Sequence, residues 1–209
     1  GSIFARPENT SIKRVLATVW RFIWSPVALS AMPRGSIAGS ISAPMKGGVL
    51  VAGGGSTAVS DLSGNFVLYN VAPGPVTVRG YAAGLQLTPA MVTVTDGTRT
   101  EGAVLGVSST PLGTVTGNIQ FPDPGSCGAT SVLLLLDETF NTQLERGESP
   151  RGLRAGNVSG VYTIPNVPDG SYKVLAAFEN DNCVRDPSAI GGTAIPSIVV
   201  PGTGGTRTI

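Results

Sequence analysis

An all-β chain of two related antiparallel sandwiches is predicted by two observations. A strand-turn-strand pattern occurs twice, as SGNFVLYNVAPGPVTV over residues 63–78 and as SGVYTIPNVPDGSYKV over residues 159–174, at one constant offset. Composition agrees: 29 glycines and 16 prolines among 209 residues, with only 13% charged side chains, suit short strands and tight turns better than helices.

Each copy reads as one hairpin. Ser-Gly opens a turn; Phe66 and Leu68, or Tyr162 and Ile164, then alternate with solvent-facing partners as a half-buried strand does. Asn-Val follows, then a turn at Pro73-Gly74 or Asp169-Gly170. The returning strand alternates Val76 and Val78, or Tyr172 and Val174, so both strands are expected to turn one apolar face the same way.

The shared pattern G-x-[FY]-x-[LI]-x-N-V-x-x-G-x-[VY]-x-V resembles the signature of carboxypeptidase regulatory-like domains, which are transthyretin-like and related to the Cna-B sandwiches of surface proteins. With flanking strands the resemblance covers residues 35–209. It implies two tandem immunoglobulin-like or transthyretin-like antiparallel sandwiches, used as a spacer, stalk, adhesion or assembly module. Lysine-asparagine crosslinks occur in Cna-B-like domains and need a buried lysine. Lys173 lies between the inward Tyr172 and Val174 and is expected to point outward.

The chain is accordingly divided into an arm over residues 1–34, a first sandwich over 35–108 and a second over 113–209. In the arm, Ile12, Val15, Leu16, Val19 and Ile23 recur at helical spacing, widened by Trp20 and Phe22, with Lys13, Arg14 and Arg21 mostly off the stripe. Thr10 or Ser11 serves as N-cap and Pro26 ends the pattern, which reads as a short basic amphipathic helix. Arg21 and Pro26 interrupt the apolar run, leaving too little for a transmembrane span. Lys13-Arg14 ahead of apolar residues and the small residues at 28–31 also fit a signal peptide.

The first sandwich opens with SIAGSIS over 36–42, echoed by TVTGNIQ over 114–120, where Gly39 corresponds to Gly117. Strands at 49–52 and 57–60 flank the Gly53-Gly54-Gly55 turn, and 85–87, 91–95 and 98–107 complete about seven. No Lys-Ser/Thr follows the glycines, so they form a turn and not a phosphate loop. The short proline-containing linker at 108–112 predicts a semi-rigid pair. The second sandwich has gained the polar stretch DETFNTQLERGESPRGLR over 137–154, for which a surface loop is expected. Its last strand, ending at Ile209, looks short beside residues 98–107 of the first, which is expected to leave a sheet edge partly unpaired.

Function is bounded mostly by exclusion. Histidine is absent, so neither a Ser-His-Asp nor a Cys-His arrangement is available, and no enzyme activity or cofactor is expected. Cys127 and Cys183 lack CxxC spacing; they read as a disulfide of an exported protein or as two free thiols of a cytosolic one. Asp181 and Asp186, with Asp137, form an oxygen-rich calcium candidate or a solvated acidic loop. Asn9 and Asn157 head N-x-[ST] triplets, which are glycosylation acceptors or chance occurrences. The net charge of +1 with scattered basic residues disfavours nucleic acid.

The arm carries Arg6, Lys13, Arg14, Arg21 and Arg34 against Glu8, so the remainder is mildly acidic. It docks either on its own first sandwich or on a neighbouring copy. The second arrangement makes Ile3, Phe4, Ile12, Val15, Leu16, Val19, Trp20, Ile23 and Ile209 assembly residues in a head-to-tail polymer. The expectation is a non-enzymatic extracellular or cell-surface structural protein that self-associates. Its alternative is a binding or spacer module of a larger adhesin or surface enzyme that recognises a protein or polysaccharide.

Overall fold

The computed structural model describes residues 34–119, 130–177 and 195–209, all within one compact unit, Pro33–Ile209. Every strand pairing falls either before or after the short linker. The first sandwich contains β1 (Gly35–Ser42), β2 (Leu50–Gly53), β3 (Ser56–Val59), β4 (Asn65–Val71), β5 (Gly74–Tyr81), β6 (Ala90–Val94) and β7 (Arg99–Gly106). The second contains β8 (Gly113–Asn118), β9 (Thr130–Leu136), β10 (Arg154–Val158), β11 (Val161–Val167), β12 (Gly170–Ala177), β13 (Ser197–Val200) and β14 (Gly205–Thr208).

The two halves share one topology. Sheet β4-β1-β7 faces β3-β2-β5-β6, and β11-β8-β14 faces β10-β9-β12-β13. Pairing is antiparallel except where the last strand of each sandwich lies parallel beside the first, β7 beside β1 and β14 beside β8. The all-β reading and the tandem sandwiches stand. The amphipathic helix proposed for the arm lies outside the described residues.

The repeated motif is not a hairpin. β4 pairs with β1, whereas β5 pairs with β2 and β6, so the two strands of the motif belong to opposite sheets. β11 and β12 are separated in the same way. Their apolar faces therefore look at each other across the core, with Phe66, Leu68 and Val71 on one side and Val76 and Val78 on the other. Alternation alone leaves pairing open, because two strands that face each other across a sandwich alternate just as two paired neighbours do.

The physical reason for the crossing is the asparagine. Asn70 and Asn166 both adopt φ of +59°, the left-handed region that Asn tolerates better than other side-chain-bearing residues. The register slips at this point: Ile37 pairs with Leu68 but Gly35 with Val71, and Val115 pairs with Ile164 but Gly113 with Val167. Two residues thus oppose one, forming a β-bulge that bends the strand and resets its alternation. Val71 and Val167 turn inward as a result, and both are fully buried.

The repeated glycine of the first strand makes room for the repeated aromatic. Gly39 pairs with Phe66 and Gly117 with Tyr162. A Cβ at Gly39 would run into the Phe66 ring and the carbonyl oxygen of Ala103, and one at Gly117 into the Tyr162 ring. The Gly53-Gly54-Gly55 stretch is the expected turn: Gly53 pairs with Ser56, and Gly54 and Gly55 have φ of +60° and +77°, as a two-residue primed turn requires.

Two substitutions test these placements. Asn166→Ala is expected to cost about 1–2 kcal/mol, the strain of holding a Cβ-bearing residue left-handed without local hydrogen bonding, whereas Asn166→Gly costs less. Gly117→Ala overpacks the Tyr162 ring and is expected to cost about 1–3 kcal/mol. Urea-unfolding midpoints read both.

Candidate functional site

Most residues singled out from the sequence lie outside the described residues: Ile3, Phe4, Ile12, Val15, Leu16, Val19, Trp20 and Ile23, the pair Cys127 and Cys183, Asn9, Asp181 and Asp186. Asp137, Asn157, Lys173 and Ile209 are described. Asp137 begins a short 3-10 turn, Asp137–Thr139, and its carboxylate meets Lys173 Nζ at 3.3 Å. An ammonium thus stands beside the oxygen proposed for calcium. Lys173 also donates to Ser197 Oγ at 2.6 Å and lies 5.8 Å from the Phe140 ring centroid, so it leaves the core as expected. Asn157 is exposed on β10 with φ of +54°, at an irregularity between Ala155 and Val158. Ile209 is 41% exposed, and its amide donates to Thr116 O at 2.9 Å.

Among the described residues, the functional groups that converge do so at the junction between the sandwiches. Its foundation is β2, whose four residues are all buried. Val49 and Val51 fill the core of the first sandwich, while Leu50 and Ala52 project from the other face into a cluster with the core of the second. The continuous apolar run VLVA is the signature of a strand covered on both sides.

Tyr81, at the end of β5, joins the same cluster. Its ring meets Tyr172 edge-on, with centroids 6.3 Å apart and planes at 81°. Such pairs contribute about 0.5–1.5 kcal/mol beyond the area they bury. Tyr172 is itself fully buried and donates its hydroxyl to Pro168 O at 3.0 Å.

A polar clasp closes over this apolar base. The Gln86 side-chain amide donates to Asp169 Oδ1, and the Asp169 amide donates back to Gln86 Oε1 at 2.9 Å. Gln86 is only 7% exposed, so both ends of its amide need these partners. Arg79 approaches Asp169 Oδ2 at 3.9 Å on the solvent side, where the pair adds little. Backbone bonds extend the seam: Ala83 N donates to Arg151 O at 2.9 Å, and Gly84 N to Asn166 O at 2.8 Å.

The polar stretch over 137–154 is more than the solvent loop expected. It replaces the Gly54-Gly55 turn with a long connection between β9 and β10, and much of it is exposed. Leu153, however, is fully buried in the shared cluster. Arg151 O holds Ala83, and Gly152 lies close enough that a Cβ there would stand 2.8 Å from Ala83 Cβ. A cleft of about 280 Å³ opens between Ser56 and Thr57 on one side and Glu138, Thr139 and Glu148 on the other. Among the described residues, no group of three or more Cys, Asp or Glu side chains is arranged to hold a metal ion. No described helix is long and apolar enough to cross a membrane.

Burial governs the electrostatics of the junction. Removal from water pushes the Tyr81 hydroxyl up to about 12, and the nearby Glu138 carboxylate adds to the shift. Tyr172 is pushed up further, first by burial and then by Tyr81 and Asp169.

No family model matches the chain, and no curated protein matches it. Among solved structures it is similar to the shaft pilin SpaA of Lactobacillus rhamnosus GG, at 8% identity and a TM-score of 0.27 over 84% of this chain and 96% of that one. It is also similar to GBS52, the minor pilin of Streptococcus agalactiae, at 10% identity and a TM-score of 0.29 over 84% and 94%. A third similarity is to the Bacillus anthracis TIE protein, at 14% identity and a TM-score of 0.30 over 85% of this chain; the chain spans 34% of that protein's length. Likenesses at these scores carry no argument, so the fold rests on the strand pairing described above.

Stability is expected to fall at alkaline pH. Both tyrosine hydroxyls have folded-state values raised above the ordinary 10.0, so the contribution of the neutral phenols is complete below about pH 10. It is lost as pH rises towards the folded value of about 12 for Tyr81. Melting temperatures across this range, read beside tyrosinate absorbance, are expected to decline in wild type and less steeply in Tyr81→Phe.

Proposed function

We propose that this chain is a non-enzymatic structural protein of a cell surface, with two carboxypeptidase regulatory-like, Cna-B-like domains over 35–108 and 113–209, joined to its neighbours head to tail through residues 1–34. The observation that supports this reading is the junction. β2 is buried on both faces and Asp169 is clasped by Gln86, so two small sandwiches are coupled as a stiff pair. A stiff pair with a chemically distinct arm suits a repeating unit, because each added copy then extends the assembly in a defined direction.

The arm has the composition for the task. Its aromatic and aliphatic stripe, from Ile12 to Ile23, supplies area to bury, and its basic residues face a mildly acidic remainder of the chain. Export follows from reading Cys127 and Cys183 as a disulfide, which this proposal includes.

Negative-stain microscopy and light scattering of the full chain, with and without residues 1–34, test the reading. Linear assemblies that disappear when the arm is removed are expected. Monodisperse monomer in both preparations overturns the polymer and leaves a spacer or binding module whose arm covers its own first sandwich.

A further inference from the structure

The first and last strands of each sandwich lie side by side and run in the same direction. β1 pairs with β7 from Ser36↔Arg99 to Ser42↔Gly106, and β8 pairs with β14 from Gly113↔Gly205 to Thr116↔Thr208. Tension along the chain enters the first sandwich at the N-terminal end of β1 and leaves at the C-terminal end of β7. It therefore drags two parallel neighbours past each other along their length. The ladder bonds between them are strained together rather than opened one after another, and the second sandwich is threaded in the same way.

We infer that the two parallel strand pairs are mechanical clamps that let the chain carry tension, and that the clamp of the second sandwich yields first. The surface-assembly reading supplies the tension; the clamps themselves belong to the fold. Two features strengthen the β1–β7 pair against sliding. β7 sends Ala103 and Leu105 into the core, both fully buried, so its movement must also uncover apolar surface. Gly39 is wedged between the Ala103 carbonyl and the Phe66 ring, close enough that not even a methyl group fits.

The β8–β14 pair has less to hold it. All four residues of β14 are exposed, so it contributes ladder bonds but no core side chain. Besides the ladder, Thr116 Oγ1 and Thr208 Oγ1 share a hydrogen bond of 3.1 Å at the surface. Surface bonds of this kind contribute little net stability because water replaces them. Opening the second sandwich also releases Tyr172 and Asp169 from the junction, which uncovers Leu50, Ala52 and Tyr81 on the intact first sandwich. Tension thereby converts a covered apolar face into an exposed one.

Single-molecule pulling on the full chain in reducing buffer, with handles at residues 1 and 209, tests the inference. Two unfolding steps are expected, the first releasing roughly 33 nm and the second roughly 25 nm of chain at the usual extended reach per residue. The first then belongs to the longer second sandwich. A second tether, through unnatural amino acids at Arg34 and Asp96, pulls the adjacent N-terminal ends of β1 and β7 apart and peels the same ladder bond by bond. The first sandwich is expected to open at several-fold lower force in this geometry. Equal force in the two geometries, or a first step from the first sandwich, overturns the inference. Directional resistance in a chain that forms no assemblies leaves the clamps standing and removes the surface-assembly reading instead.

Discussion

The arch at residues 166–170 is the constraint on which the rest of this structure depends. Asn166, held left-handed, lets the chain leave one sheet and enter the other, and so encloses the second core between β11 and β12. The same few residues are what the first sandwich grips. Asn166 O accepts from Gly84 and Asp169 closes on Gln86, while within the second sandwich Pro168 O accepts from the buried Tyr172 hydroxyl and steadies the arch. A feature that closes one domain thus also docks it on its neighbour, and neither role leaves the arch much freedom to change.

That double use explains the chemistry at the junction. A contact made only of Leu50, Ala52, Tyr81 and Tyr172 would hold the halves together without fixing their register, since apolar burial is not directional. The Gln86–Asp169 clasp supplies direction. Both ends of a nearly buried amide are satisfied only when the arch sits in one place, and misplacing it leaves polar groups stranded at a cost of about 1–3 kcal/mol each. Short linkage through 108–112 and the backbone bond from Ser108 N to the Gln86 carbonyl oxygen, 2.9 Å, tie the same residue into the connection through its main chain.

Much of the architecture was legible because it is written twice. Matching Phe66 with Tyr162, Leu68 with Ile164 and Gly39 with Gly117 located the strands of both halves before any pairing was known. The pairing itself was not legible, since period-two alternation is identical for paired strands and for strands facing each other across a core. Asn70 and Asn166 carried the missing signal, an asparagine just before the strand's last apolar residue where a bulge resets the face. The junction was hidden for a different reason. Leu50, Ala52, Tyr81 and Gln86 have no counterpart in the motif, and Leu153 sits within a stretch whose polarity pointed to solvent. The continuous apolar run at 49–52 was the clue, because a strand with one wet face would alternate. In the arm, the legible signal is helical periodicity and basic charge.

A double-mutant cycle between Gln86 and Asp169 addresses the coupling of the two sandwiches most directly. Unfolding free energies of wild type, Gln86→Ala, Asp169→Ala and the double variant, measured in urea, give the interaction energy between two residues on opposite sides of the linker. A coupling of about 1–3 kcal/mol is the result this account predicts. Additive effects, within about 0.3–0.5 kcal/mol, would contradict it and describe two sandwiches that fold side by side without holding one another.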